Sequence, residues 1–264
     1  MQKIFRFAVA LVLAGGAGLS AFGAQAEVQT KTIEYKDGDT VLKGVLAWDD
    51  AMSGKQPGVL VVHEWWGLND YAKSRAEALA KEGYVAFALD MYGDDKVTEH
   101  GKEAGEWMKQ ITSNIDAWQA RAQLGLDVLK AQDNVDGAKV AAIGYCFGGA
   151  TVMQMAYAGA DVKAVVSFHG SLPPAPETVT EIKPQVLVAH GRDDAFIPAD
   201  RIDAFQKGLD RAGADWEMMI FSGARHGFTN PNAGDYGMDN LQYNETADKR
   251  SWSSMLEVFD ETLK

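Results

Sequence analysis

Cysteine is almost missing from this chain: Cys146 is the one thiol in 264 residues. It cannot close an internal disulfide. With no second cysteine and no H-x-x-x-H pair among the five histidines, a structural zinc site of ordinary ligand spacing cannot be assembled either. No metal and no cofactor is expected. Basic charge is also short, 25 Lys and Arg against 37 Asp and Glu, and the net charge of −12 sets the surface against nucleic acid and anionic membranes. A phosphate loop is missing, since Gly148-Gly149 is not followed by Lys-Ser or Lys-Thr. Past residue 26 no apolar run is long enough to span a bilayer, and no linker, low-complexity tract or repeat interrupts the chain.

What is present begins with a leader. Lys3 and Arg6 precede an apolar segment from Phe7 to Leu19, and Ala24-Gln25-Ala26 supplies a small-x-small pattern before Glu27. These features predict a secretory signal peptide over residues 1–26 and a periplasmic or secreted protein. As a membrane anchor the segment is poor, being short and interrupted by Gly15, Gly16 and Gly18. Loss of Lys3 and Arg6 leaves 23 basic against 37 acidic residues on a mature chain of 238, a net charge near −14. In an oxidising compartment a lone thiol is either shielded or kept for reactivity.

Residues 27–264 are long enough for one sizeable core and short for two domains, so a single domain and a monomer are expected. Lys31 to Tyr35 and Val41 to Trp48 flank Asp37-Gly38-Asp39 and predict an antiparallel hairpin. Apolar runs then alternate with helical patterns. Strands are predicted at 58–63, 84–89, 139–143, 163–168, 185–190 and 216–221, and helices at 71–81, within 99–130, and at 147–158, 199–212 and 246–263. This alternation predicts an α/β fold, a mostly parallel sheet with helices on both faces. Met153, Met155 and Tyr157 are assigned to the core. His63, His169 and His190 end strands and are expected to satisfy backbone groups there, and His100, in a polar stretch, is expected to be solvated.

At Gly144-Tyr145-Cys146-Phe147-Gly148-Gly149 the apolar run Val140-Ala141-Ala142-Ile143 gives way to a helical pattern. A nucleophile on a sharp strand-to-helix turn needs small residues two before and two after it, because side chains there would strike the backbone folding past; Gly144 and Gly148 meet that demand. Unpaired amides at the new helix's start favour a thiolate. The alternative for Cys146 is a small buried hydrophobe. A catalytic thiol needs a base and an orienting acid. The loop Gly191 to Pro198, leaving a predicted strand, offers Asp193 and Asp194, and Ser222 to Phe228, leaving the next, offers His226.

These motifs, with Val62-His63-Glu64-Trp65-Trp66-Gly67 and Ala88-Leu89-Asp90-Met91-Tyr92, resemble the dienelactone hydrolase (carboxymethylenebutenolidase-like) family of the α/β-hydrolase fold over nearly the whole chain after the leader. The resemblance implies a hydrolase of esters or lactones with Cys146 as nucleophile, His226 as base and Asp194, four residues before Pro198, as acid, with Asp193 as its competitor. It also implies that Glu64 touches the resting thiol and helps generate thiolate when substrate enters; otherwise Glu64 pairs with a cation and holds a loop. The N–H groups of Trp65 and Phe147 would form an oxyanion hole. Trp66, Tyr145, Arg192 and Arg225 are candidates for substrate binding, and the loops 171–183 and 229–245 for the pocket rim.

One departure from the family bears on substrate. Founding members hold the carboxylate of a dienelactone with arginines at places occupied here by Asp94 and Asn230. A neutral or less acidic ester or lactone is therefore expected, cleaved through an acyl-thioenzyme. Two other functions stay open: a non-hydrolytic binding or redox-sensing protein on a retained fold, and an acyltransferase.

Overall fold

A computed structural model describes residues 27–264; the predicted leader, residues 1–26, lies outside the described residues. Two alternating runs form β1 (Val28–Asp37) and β2 (Thr40–Asp49), paired antiparallel from Val28 opposite Asp49 to Asp37 opposite Thr40. The connection is the two-residue turn Gly38-Asp39, one residue tighter than expected, with Gly38 at φ 58°.

The strands that follow are apolar on both faces through the middle of the sheet, as strands buried between two helix layers must be, and half-exposed at its far edge, where Glu217 and Ile220 face solvent. They are β3 (Gln56–Val62), β4 (Val85–Leu89), β5 (Val135–Tyr145), β6 (Ala164–Phe168), β7 (Gln185–Gly191) and β8 (Trp216–Phe221). The sheet runs β1-β2-β4-β3-β5-β6-β7-β8, with β2 antiparallel to β4 and all pairs from β4 onward parallel. β5 starts earlier than its apolar run: Val135 and Asp136 pair with Gln56 and Pro57 before a register shift places Gly58 opposite Val140.

Six helices cover the sheet: α1 (Asp70–Lys81), α2 (Gly101–Thr112), α3 (Ile115–Lys130), α4 (Phe147–Tyr157), α5 (Ala199–Arg211) and α6 (Glu245–Thr262). The two-residue strand period divides the core. Leu60, Val62, Val140 and Ala142 pack with Leu126, Leu129, Met153 and Phe205 from α3, α4 and α5. Val59, Val61, Ala141, Ile143 and Tyr145 pack with Ala72, Leu79, Met255 and Phe259 from α1 and α6. Met153, Met155 and Tyr157 are all buried. Among the described residues no helix is long and apolar enough to cross a membrane.

Asn69, Asn114 and Asn244 cap α1, α3 and α6, their side chains accepting from the N–H groups of Ala72, Ala117 and Ala247 at 3.2, 3.1 and 3.0 Å. Helices α2, α4 and α5 have no side-chain cap; at α4 the cap position is Cys146, so that helix's positive end is open beside the thiol.

Candidate active site

Cys146 is held at φ 54° and ψ −112°, a conformation that costs a non-glycine residue about 1–3 kcal/mol. The surroundings enforce it. The Cys146 N–H donates to the Phe168 carbonyl at 3.0 Å, and its own carbonyl accepts from Ala150 at 3.2 Å. A Cβ on Gly144 would overlap the Gly148 carbonyl, and one on Gly148 would overlap the carbonyls of Val62 and His63. Both glycines are thus required by contact between backbones, as the turn motif predicts.

Beyond the C-terminal end of β7, buried Asp194 accepts from His226 Nδ1 at 2.8 Å. Asp193 is exposed and turns away, so Asp194 is the carboxylate that meets the ring. His226 is buried just beyond β8, edge-on to Phe196 with ring centroids 5.1 Å apart and to His169 at 5.2 Å. Burial alone would pull its pKa down. The electrostatic effect of the neighbouring Cys146 and the hydrogen bond with Asp194 outweigh it and hold the imidazole at about 10. With Nδ1 on Asp194, Nε2 is the nitrogen left to face the thiol.

Glu64, just past β3, is buried, and its Oε2 accepts from Asn230 Nδ2 at 2.7 Å. Its direct partner is thus an amide; the positive charges of Arg75 and His226 act on it from nearby. Burial raises its pKa to about 7, against the lowering effect of Asn230 and of those two cations. The Trp65 carbonyl accepts from Tyr92 Oη at 3.1 Å and the Glu64 carbonyl from Gly67 N–H at 3.3 Å, which fixes this turn. Neither the Trp65 nor the Phe147 N–H makes one of the turn, loop or cap backbone hydrogen bonds of the described residues, so both remain available as donors to a ligand.

Behind His226 lies a polar brace. The hydroxyl of buried Thr229 bonds to His169 Nε2 at 2.8 Å and to Tyr71 Oη at 2.6 Å. Arg75 donates to the Thr229 carbonyl and to Asp248 Oδ1, the latter at 2.7 Å, with its guanidinium over the rings of Tyr71 and Tyr145. His169 therefore satisfies a side-chain hydroxyl where a backbone partner was expected. His190 also departs from that expectation, its buried Nδ1 finding no partner in the structure. His63 follows it: Nε2 accepts from Met91 N–H at 3.2 Å, and Nδ1 donates to the Glu64 carbonyl. His100 is exposed.

Cys146 and His226 open into a cavity of about 520 Å³. Its walls come from Trp65, from Met108 and Thr112 of α2, Trp118 of α3, Phe147 and Ala150 of α4, and from Ser171, Pro173, Phe196, Ile197, Arg201 and Leu241. Ser171, Pro173 and Leu241 come from the two loops predicted to form the rim. The four substrate-binding candidates are elsewhere. Strand alternation turns Tyr145 to the opposite face of the sheet, stacked on Phe168; Trp66 is buried and stacked on Tyr236 at 3.9 Å; Arg192 is exposed away from the cavity; and Arg225 donates to the Asp239 carbonyl at 2.7 Å. Sequence reasoning missed Arg201, the one arginine or lysine among the cavity residues, and the α2 and α3 contributions. The Asp94 carboxylate lies outside the cavity and pairs with Lys96 at 3.3 Å, while Asn230 is committed to Glu64. Among the described residues no group of three or more His, Cys, Asp or Glu side chains is arranged to hold a metal ion.

The model of the dienelactone hydrolase family matches residues 42–263. The chain belongs to the dienelactone hydrolase family. Protein usf of Aquifex pyrophilus is 30% identical over 213 residues, covering 78% of this chain and 89% of the relative. The crystal structure of P91, a dienelactone hydrolase-like promiscuous phosphotriesterase from metagenomic libraries, is 40% identical with a TM-score of 0.87, covering 90% of this chain and 99% of that one. Dienelactone hydrolase from Anabaena variabilis, at 21% identity and a TM-score of 0.63 over 90% of this chain and 99% of its own, shares the fold. This dienelactone hydrolase family member has the α/β-hydrolase fold; it is a hydrolase of the ester and lactone class, and its partner is a small molecule.

Proposed function

We propose that this enzyme cleaves carboxylic esters or lactones with Cys146 as nucleophile, His226 as acid and base and Asp194 as the group that orients His226. The observation that carries this is the convergence of a strained thiol and a buried imidazole on one apolar cavity, with a buried carboxylate holding the imidazole from behind. His226 Nε2 holds the thiol proton, and the thiolate attacks the carbonyl carbon. A C–S bond forms, and the carbonyl electron pair moves onto oxygen, where the N–H groups of Trp65 and Phe147 and the uncapped end of α4 receive the charge. Collapse breaks the C–O bond, and the alcohol leaves with the proton from His226; in a lactone it stays tethered to the acyl group. Water then attacks the thioester with His226 as base and returns the thiolate. Glu64, held by Asn230 and titrating near neutrality, sets the charge beside His226.

A compact anionic dienelactone is a poor fit, because the places of the family's two arginines hold Asp94, outside the cavity, and Asn230, already bonded to Glu64. The scissile end of the substrate is neutral. A second reading has one specific support: P91, at 40% identity, is described as a promiscuous phosphotriesterase, and a neutral phosphotriester could meet the same thiolate. The leader pattern supports export to the periplasm or beyond, with Glu27 as the first mature residue.

The test is turnover of neutral esters, lactones, a dienelactone and a phosphotriester by the mature protein beside Cys146→Ala and His226→Ala. Both variants should lose activity by orders of magnitude. Equal activity in all three proteins would remove Cys146 from the reaction, and better turnover of the dienelactone than of neutral esters would refute the substrate argument.

A further inference from the structure

We infer that Arg201 recognises an anionic group of the substrate, separated from the scissile carbonyl by an apolar body; the inference rests on the ester-hydrolase reading of Cys146. Arg201 lies in the first turn of α5, whose N-terminus is the positive end of the helix dipole. A cation there weakens the helix, so helix stability does not account for it. Nor does ion pairing: no salt bridge of Arg201 occurs among the described residues, and its one side-chain hydrogen bond is a 3.3 Å contact from Nη1 to the Ser171 carbonyl. The nearby carboxylate of Asp200 accepts from the Arg201 backbone N–H at 2.9 Å. A guanidinium carries five N–H donors in a planar fork, and most of this one's are free of protein partners.

Its position supplies the ligand chemistry. Arg201 is exposed at a cavity that has no carboxylate in its wall and that is otherwise dominated by Met108, Trp118, Phe147 and Phe196. Cys146, in the same wall, is half-buried. A substrate filling such a cavity presents its reactive carbonyl to Cys146, its carbon chain to the aromatic rings and a terminal carboxylate, or an anion of like geometry, to the Arg201 fork.

The experiment compares p-nitrophenyl hexanoate with mono-p-nitrophenyl adipate, which differ by a terminal carboxylate, in wild type, Arg201→Gln and Arg201→Lys. Arg201→Gln should lower kcat/KM for the adipate about tenfold, mostly through KM, and leave the hexanoate within about twofold. Arg201→Lys should recover part of the loss, and added salt should erode the adipate preference. Equal losses on both esters would make Arg201 a brace for the Ser171 loop, and no loss on the adipate would also overturn the inference. Calorimetric binding of the intact adipate ester to Cys146→Ala, with and without Arg201→Gln, separates the two claims. About tenfold weaker binding in the double variant supports anion recognition even if hydrolysis fails; equal or undetectable binding in both contradicts it.

Discussion

Glu64→Gln should make the protein more stable, by an amount that grows with pH and then levels off. Glu64 is 4% exposed, and burial raises its pKa from 4.5 to about 7. Between those values the folded chain keeps a proton that the unfolded chain has released. The unfolded state therefore binds fewer protons, and stability falls as pH rises. At about 1.4 kcal/mol per pH unit the span removes about 3 kcal/mol, with nothing further lost above the folded pKa. Glutamine keeps an acceptor for Asn230 Nδ2, now 2.7 Å from the carboxylate, and has no charge to desolvate. Urea denaturation of both proteins at about pH 5, 6, 7 and 8 should show the variant gaining on wild type by about 2–3 kcal/mol across the series. An advantage that does not change with pH, or that shrinks as pH rises, would refute the reasoning. If Glu64 is retained for the reaction, the stabilised variant should also lose the inflection near neutrality in its pH–rate profile.

Other outcomes follow from the same site. Gly148→Ala forces a Cβ into the carbonyls of Val62 and His63, backbone of the central sheet that cannot yield, and should cost about 3 kcal/mol or more by denaturant midpoint. Asp194→Asn should lower kcat about 10³–10⁴-fold, whereas the exposed Asp193→Asn should stay near wild type; equal losses would place the orienting acid elsewhere. Because the Asp194 hydrogen bond helps to raise the His226 pKa to about 10, Asp194→Asn should also lower the imidazole titration followed by NMR. Mass spectrometry of the exported protein should find Glu27 at the N-terminus; an intact Met1 would refute the leader reading.

The central strands were legible because strands buried on both faces appear as continuous apolar runs, and Gly144 and Gly148 exposed the tight turn because backbone contact forbids any other residue there. The early start of β5 was not legible. Asp136-Gly137 has the composition of a turn, and its pairing depends on a register shift against Pro57 and Gly58 that local pattern does not encode. Tyr145 could have been placed correctly, since a period of two puts it with Ala141 and Ile143 on the face away from the thiol's cavity. Arg201, Met108 and Trp118 carried no such signal. They reach the cavity from three helices whose arrangement depends on tertiary packing, and only the contrary placement of a cation in a helix's first turn marked Arg201 as unusual. The pairing of Glu64 with Asn230 across 166 positions is of the same kind.

The most direct test of the account is to trap the acyl-enzyme. A slowly hydrolysed p-nitrophenyl ester should give a burst of nitrophenol equal to the active enzyme, and intact mass followed by peptide mapping should place one acyl group on Cys146, with no adduct in Cys146→Ala. An adduct on another residue, or full turnover by Cys146→Ala, would contradict the account.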